Sequence, residues 1–254
     1  MLRRPNLQYH PSGHPILSAR AIEEYAEGFL AEYFPSHLPG PSPLRAAALI
    51  SLVGDQDGVR TADDDLGLEG LRKCLGRMYL KRKLIVLDRV LFAERQISLP
   101  FVMAHEFAHW LLHRDCEIAA IKLQEKFPDD SDEAENPDKL DSGWTSLQFI
   151  EWQASKFAAA LLIPKMAAIR AIYSVQTDLS IPLRKGVIYE NTTAGGRAES
   201  EQQLELVAKI FEVSKTVTRI RLADLSLYHQ QTPKSRPASG PGNHFSQLGK
   251  NIRS

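Results

Sequence analysis

Cysteine is scarce, with two residues in 254, Cys74 and Cys116. That excludes a disulfide framework, and a reducing compartment would leave both as thiols. Residues Met1 to Pro11 contain no apolar run, so neither a signal peptide nor a membrane span is expected, and the protein is expected in the cytoplasm. Charge of one sign is also missing, because 31 Lys and Arg balance 31 Asp and Glu. Without an overall field, direct binding to DNA or to an anionic membrane is not indicated. No internal repeat is visible. What remains is ordinary globular composition, 43% hydrophobic, in a length that suits one domain of about 200 residues or a domain with an appendage.

Within it one stretch stands out, Ser98-Leu-Pro-Phe-Val-Met-Ala-His105-Glu106-Phe-Ala-His109-Trp-Leu-Leu-His113. Apart from the three histidines and the glutamate it is apolar all round, so a helix here belongs inside the molecule. Ser98 is placed to cap it, and Pro100 is tolerated in its first turn. His105 and His109 fall one above the other, and Glu106 lies about 100° round the wheel, close enough to flank what the imidazoles hold. Burying an unpaired carboxylate and two imidazoles costs several kcal/mol unless a partner repays it. A metal is such a partner. His-Glu-x-x-His is the spacing in which two neutral imidazoles bind zinc and the carboxylate works on an activated water.

Two histidines do not complete a catalytic zinc site, which takes three protein ligands. On a straight helix His113 lies about 12 Å along the axis from His105, too far for one ion to bridge. The acidic run between Asp129 and Asp141 offers carboxylates but no packed scaffold. Glu151 is better placed, because it begins the apolar stretch Leu147 to Pro164, whose alanines permit close packing against another helix.

Around these motifs the chain divides as follows. Residues 1–17, with three prolines and a glycine, read as a flexible N-terminal arm. From Ser18, the residues Ile22, Tyr25, Ala26, Phe29, Leu30 and Tyr33 make one helical stripe that Pro35 ends. Leu44 to Val53 reads as a short helix and residues 54–58 as a turn. Asp63-Asp64-Asp65 reads as a solvated loop, since three consecutive carboxylates point different ways in any regular structure. Gly76 to Leu80 and Lys83 to Leu87 read as two strands joined by a basic turn. Their edge is a candidate surface for a peptide bound as an added strand. Residues 114–124 look helical, and 129–141 form an acidic, exposed insertion. After Pro164 a helical piece runs to Tyr173, and Asp178 to Gly196 reads as irregular. Glu201 to Phe211 and the segment capped by Ser214 form a helix-turn-helix-like pair, in which Arg219 and Arg221 are weak candidates for phosphate contact. Residues 229–254 read as a disordered, weakly cationic tail.

Residues Phe101 to His113, followed by Ile150 to Pro164, resemble the ImmA/IrrE family of zinc metallopeptidases. That family pairs an Ala-His-Glu-x-x-His-x-x-x-His helix with a Glu-x-x-Ala-x-x-Phe-Ala-x-x-Leu-Leu-x-Pro helix. Gly76 with residues 83–87 matches its glycine-containing strand pair, and Val213-Ser214 with Arg221-Leu222 matches a later segment. The resemblance implies a compact α+β zincin-like domain over residues 18–175 with a small antiparallel sheet, then a helical segment over 176–228. It implies one Zn2+ per chain held by His105, His109 and Glu151, with Glu106 as general base. It implies an endopeptidase that cleaves a helix-turn-helix transcriptional repressor and so derepresses mobile-element or stress-response genes. For the oxyanion, His113 and Tyr79 are candidate donors. Two departures stand out: Ser155 occupies a position usually held by Asn, and the acidic insertion is long. The competing class is a zinc-stabilised module that grips a repressor or DNA without proteolysis, but a structural site has no use for Glu106.

Overall fold

A computed structural model describes residues 1–69, 72–116, 144–182, 185–190 and 193–230. The acidic insertion, residues 117–124 and all but the first two residues of the expected tail lie outside these.

The elements in chain order are α1 (Ala19–Tyr33), α2 (Ala46–Asp57), β1 (Arg60–Asp64), the two-residue strands β2 (Leu68–Glu69) and β3 (Arg72–Lys73), β4 (Gly76–Tyr79) and β5 (Leu84–Asp88). They continue with α3 (Val90–Ala93), α4 (Leu99–His113), α5 (Ser146–Leu162), α6 (Lys165–Asp178), β6 (Ile188–Glu190), α7 (Ala194–Phe211), α8 (Lys215–Asp224) and β7 (Tyr228–Gln230). The architecture is α+β. A helical layer carries the core, and one three-stranded sheet in the order β1-β5-β4 lies beside it.

α4 and α5 pack along each other at the centre, α1 covers α5, and α2 backs α4. The contact is tight because Ala104, Ala108, Ala154 and Ala158 are all fully buried and let the helix axes approach. Phe29 of α1 fits edge-on to Phe107 of α4 and Phe157 of α5, with ring centroids 5.5 and 6.2 Å away. Burial of each such ring contributes on the order of 2–3 kcal/mol. Ser18 caps α1 through the Ala21 N–H at 3.2 Å. Thr145 and Gln148 form a reciprocal capping box on α5, which fixes where the helix carrying Glu151 begins.

Several expectations are corrected. The sheet is mixed, not antiparallel: β4 runs antiparallel to β5, but β1 pairs with β5 in parallel, from Arg60 with Leu84 to Asp64 with Asp88. The acid-rich stretch expected as a loop thus supplies an edge strand, its carboxylates standing in solvent. Ser98 does not cap α4. A 3-10 turn over Gln96–Ser98 leads directly into the helix, and the Ser98 backbone is already helical. α7 begins at Ala194, running through Gly195 and Gly196, because the Thr193 hydroxyl accepts the Gly196 N–H at 3.2 Å.

The first seventeen residues contain only one isolated β-bridge, between Tyr9 and Pro15, yet they lie against the body through specific bonds. The Leu2 N–H donates to Asp57 at 2.8 Å, Tyr25 donates to the Arg3 carbonyl at 2.7 Å, and the Cys116 thiol donates to the Gly13 carbonyl at 3.0 Å. At the other end, Arg221 of α8 is 1% exposed. Its guanidinium grips Glu23 of α1 in bidentate fashion, and its Nε donates to the Ile163 carbonyl at 3.0 Å. Arg219 is engaged by Glu201. Both arginines considered for phosphate contact are therefore committed to carboxylates. Among the described residues, no single helix is long and apolar enough to cross a membrane.

Candidate metal centre

The centre is built by two helices. α4 places His105 and His109 on successive turns, and α5 brings Glu151 against them. His105 Nε2 lies 3.1 Å from Glu151 Oε2 and 3.1 Å from His109 Nε2, while His109 Nε2 lies 3.5 Å from Glu151 Oε1. All three ligand-type atoms are within 4.8 Å of one another, the one such group of three or more among the described residues.

Two observations test whether a divalent metal suits this set. A tetrahedral ion with bonds of about 2.0–2.1 Å needs donor atoms about 3.4 Å apart, and the two imidazole nitrogens stand 3.1 Å apart with one or other Glu151 oxygen 3.1–3.5 Å from each. Glu151 Oε1 is buried without a hydrogen-bond partner, a state that costs about 1–3 kcal/mol unless something else compensates it. Two imidazole nitrogens and one carboxylate oxygen are the donor set of a zinc-type site with open positions. The residues fit.

The electrostatics agree. Burial alone would raise the Glu151 carboxyl, but the neighbouring His109 and His105 hold it well below its ordinary value near 4.5. Glu106 is shifted the other way. Its carboxyl is pushed up by burial, opposed by His105 and His109, with the negative charge of Glu151 adding to the rise and a backbone hydrogen bond from Met78 lowering it. Two carboxylates packed near the same imidazoles thus carry different proton affinities, as distinct ligand and base roles require.

Behind the ligands, Ser155 Oγ lies 3.3 Å from His105 Nδ1, so the serine at the position usually held by Asn still reaches that ring, at long range. His113 Nδ1 lies 3.0 Å from His109 Nδ1, and His113 Nε2 lies 3.0 Å from Gln153 Oε1. His113 is fully buried, and burial followed by the neighbouring His109 lowers its pKa to about 3. It faces the far side of His109, away from the ligand atoms, which removes it as an oxyanion donor. Tyr79, the other candidate, sits on β4 with the Arg82 guanidinium 5.5 Å from its ring centre.

One contributor escaped the motif reading, and the role of a second was not foreseen. Gln153 is buried on α5 beside His113, but Gln148, Glu151, Ser155 and Lys156 make the same helix polar elsewhere, so nothing in the sequence singled it out. Gly76 of β4 abuts α4 so closely that a β-carbon there would stand 2.6 Å from Val102 Cγ1 and 2.9 Å from Glu106 Oε1. The strand pattern and the family-like glycine pointed to its position, but not to this contact with Glu106.

A metal-suited His-Glu-x-x-His helix, a carboxylate from a second helix and a small flanking sheet together define a metallopeptidase-type α+β domain. A family model described as the IrrE N-terminal-like domain, of the M78 peptidases, matches residues 56–223, and the chain belongs to that family. No curated protein matches the chain. A solved structure, a Mycobacterium tuberculosis transcriptional regulator, is similar over 80% of this chain at 17% identity and a TM-score of 0.47. The present chain covers 46% of that longer one.

Proposed function

We propose that this protein is a zinc-dependent endopeptidase of the ImmA/IrrE type, acting in the cytoplasm on a helix-turn-helix transcriptional repressor and thereby derepressing mobile-element or stress-response genes. The observation that carries the reading is the convergence of His105, His109 and Glu151 beside a buried Glu106 on the same helix. His105, His109 and Glu151 would hold the ion. When bound, zinc supplies a Lewis acid that acidifies a water and polarises a carbonyl.

The chain's own residues supply the rest. Glu106, its proton affinity raised by burial, takes the proton of the attacking water and returns it to the leaving amine. β4 ends the sheet order, and it passes within contact of Glu106 at Gly76. A peptide paired along that edge would carry its scissile bond past the carboxylate, held by main-chain hydrogen bonds. The lack of a side chain at Gly76 leaves room for strand and helix to meet there.

The test is cleavage of a repressor encoded beside this protein's gene, incubated with the zinc-loaded chain and read by mass spectrometry. A defined new terminus that disappears with Glu106→Gln is expected. Zinc binding and tight repressor binding without any cleavage would instead establish the non-proteolytic binding module.

A further inference from the structure

Behind His109 a line of hydrogen bonds runs through the core to the N-terminal segment. His109 Nδ1 meets His113 Nδ1 at 3.0 Å, His113 Nε2 meets Gln153 Oε1 at 3.0 Å, and Gln153 Nε2 meets the Pro15 carbonyl at 2.7 Å. His109 and His113 are fully buried and Gln153 is 1% exposed, so no bulk water competes for these atoms.

The proton order along this line follows from its last member. A carbonyl oxygen only accepts. Gln153 must therefore turn its NH2 to Pro15, because the reversed amide would set two oxygens face to face at 2.7 Å. Its Oε1 then faces His113 Nε2, which has to carry the proton. A neutral imidazole carries only one proton, so His113 Nδ1 is a lone pair, and His109 Nδ1 has to donate to it. His109 Nε2 is left as a lone pair, 3.1 Å from His105 Nε2 and 3.5 Å from Glu151 Oε1.

We infer that His113 and Gln153 are positioning residues, which transmit the fixed polarity of the Pro15 carbonyl to His109 and hold it in the tautomer whose free Nε2 faces the ligand cluster. His113 thereby serves the ion that it is too distant to bind. The N-terminal segment becomes part of the centre's support, since its carbonyl sets the order. This inference rests on the metal-binding reading, but the tautomer can be read without metal.

Two measurements test it, both on the full-length protein. The first is two-bond proton–nitrogen NMR of nitrogen-15 histidine rings in the metal-free protein at neutral pH. Wild type should show His109 protonated at Nδ1 and His113 at Nε2. His113→Leu should lose the pure Nδ1–H form of His109, whereas His113→Gln should keep it, because an amide oxygen can accept the same proton. The second is zinc affinity by chelator competition. His113→Leu should weaken binding about 10–100-fold at unchanged stoichiometry. Gln153→Met should weaken it in the same direction, and His113→Gln should stay within a few-fold of wild type. His109 protonated at Nε2 in wild type would overturn the inference, and that spectrum decides even if a variant fails to fold. Wild-type affinity in folded His113→Leu and Gln153→Met would overturn it too. A wild type that binds no zinc but shows the stated tautomers would remove the metal reading alone and leave the proton order standing.

Discussion

Gly76 and Glu106 touch: a β-carbon on the glycine would lie 2.9 Å from both Cγ and Oε1 of the glutamate. The edge strand and the base of the proposed reaction are thus held at backbone distance. Gly76→Ala should push β4 off α4. We expect a destabilisation of about 1–3 kcal/mol from overpacking and a loss of peptidase activity larger than that change explains, with zinc still bound. Thermal unfolding and turnover on one preparation check it, and full activity in the alanine variant would show that the spacing is irrelevant.

Removing a ligand should separate the roles of the two helices. His105→Ala and His109→Ala are expected to abolish tight zinc binding. Glu151→Ala should lower affinity at least about tenfold, since a carboxylate ligand fixed by packing is lost. Chelator competition measures all three. Native affinity in Glu151→Ala would discard the third ligand as assigned.

Glu106→Gln keeps the shape of the side chain and removes its capacity to take a proton. Turnover should drop by about 10²–10⁴-fold, with zinc content and unfolding temperature close to wild type. Wild-type cleavage by this variant would mean that another group is the base.

Asp57 gives a pH dependence of known sign. Burial alone would raise its carboxyl, but hydrogen bonds from the Leu2 N–H, Trp110 and Arg114, with the Arg114 charge, bring it below its ordinary value near 3.8. The unfolded chain therefore takes up this proton first as pH falls. Stability from Asp57 is complete above the unfolded value and is lost as pH drops through the folded one. Asp57→Asn should lose stability relative to wild type at neutral pH, and the gap should narrow steadily below about pH 4. Denaturant titrations at several pH values measure it, and a gap independent of pH would show that the carboxylate's charge plays no part.

How much of this was legible in the sequence depended on where each signal resides. The stripe from Ile22 to Tyr33 and the spacing of His105 and His109 are properties of a helix itself, so the residues announce them in advance. The approach of Glu151 is a property of packing, and beyond the family-like motif that begins with it only the alanines of α5 hint at it. β1 could not be read, because a strand with its side chains in solvent shows no alternation of apolar and polar residues. The start of α7 was hidden by Gly195 and Gly196, where a threonine cap outweighs poor helix propensity. The link from His109 to Pro15 joins residues far apart in the chain, and no local pattern encodes it.

The clasp of Arg221 on Glu23 spans 198 positions of chain. Contacts of such separation form late, because the whole intervening loop must close first. A nascent chain emerging from the ribosome exposes α1 and both helices of the centre long before residue 221 is made. Until then Glu23 and the Ile163 carbonyl lack the guanidinium that joins them. The two helices of the proposed centre are thus translated well before the clasp that ties α1 to α8 and to the end of α5 can close, and a protein proposed to cut repressors would gain that part of its rigidity only after residue 221 has been made.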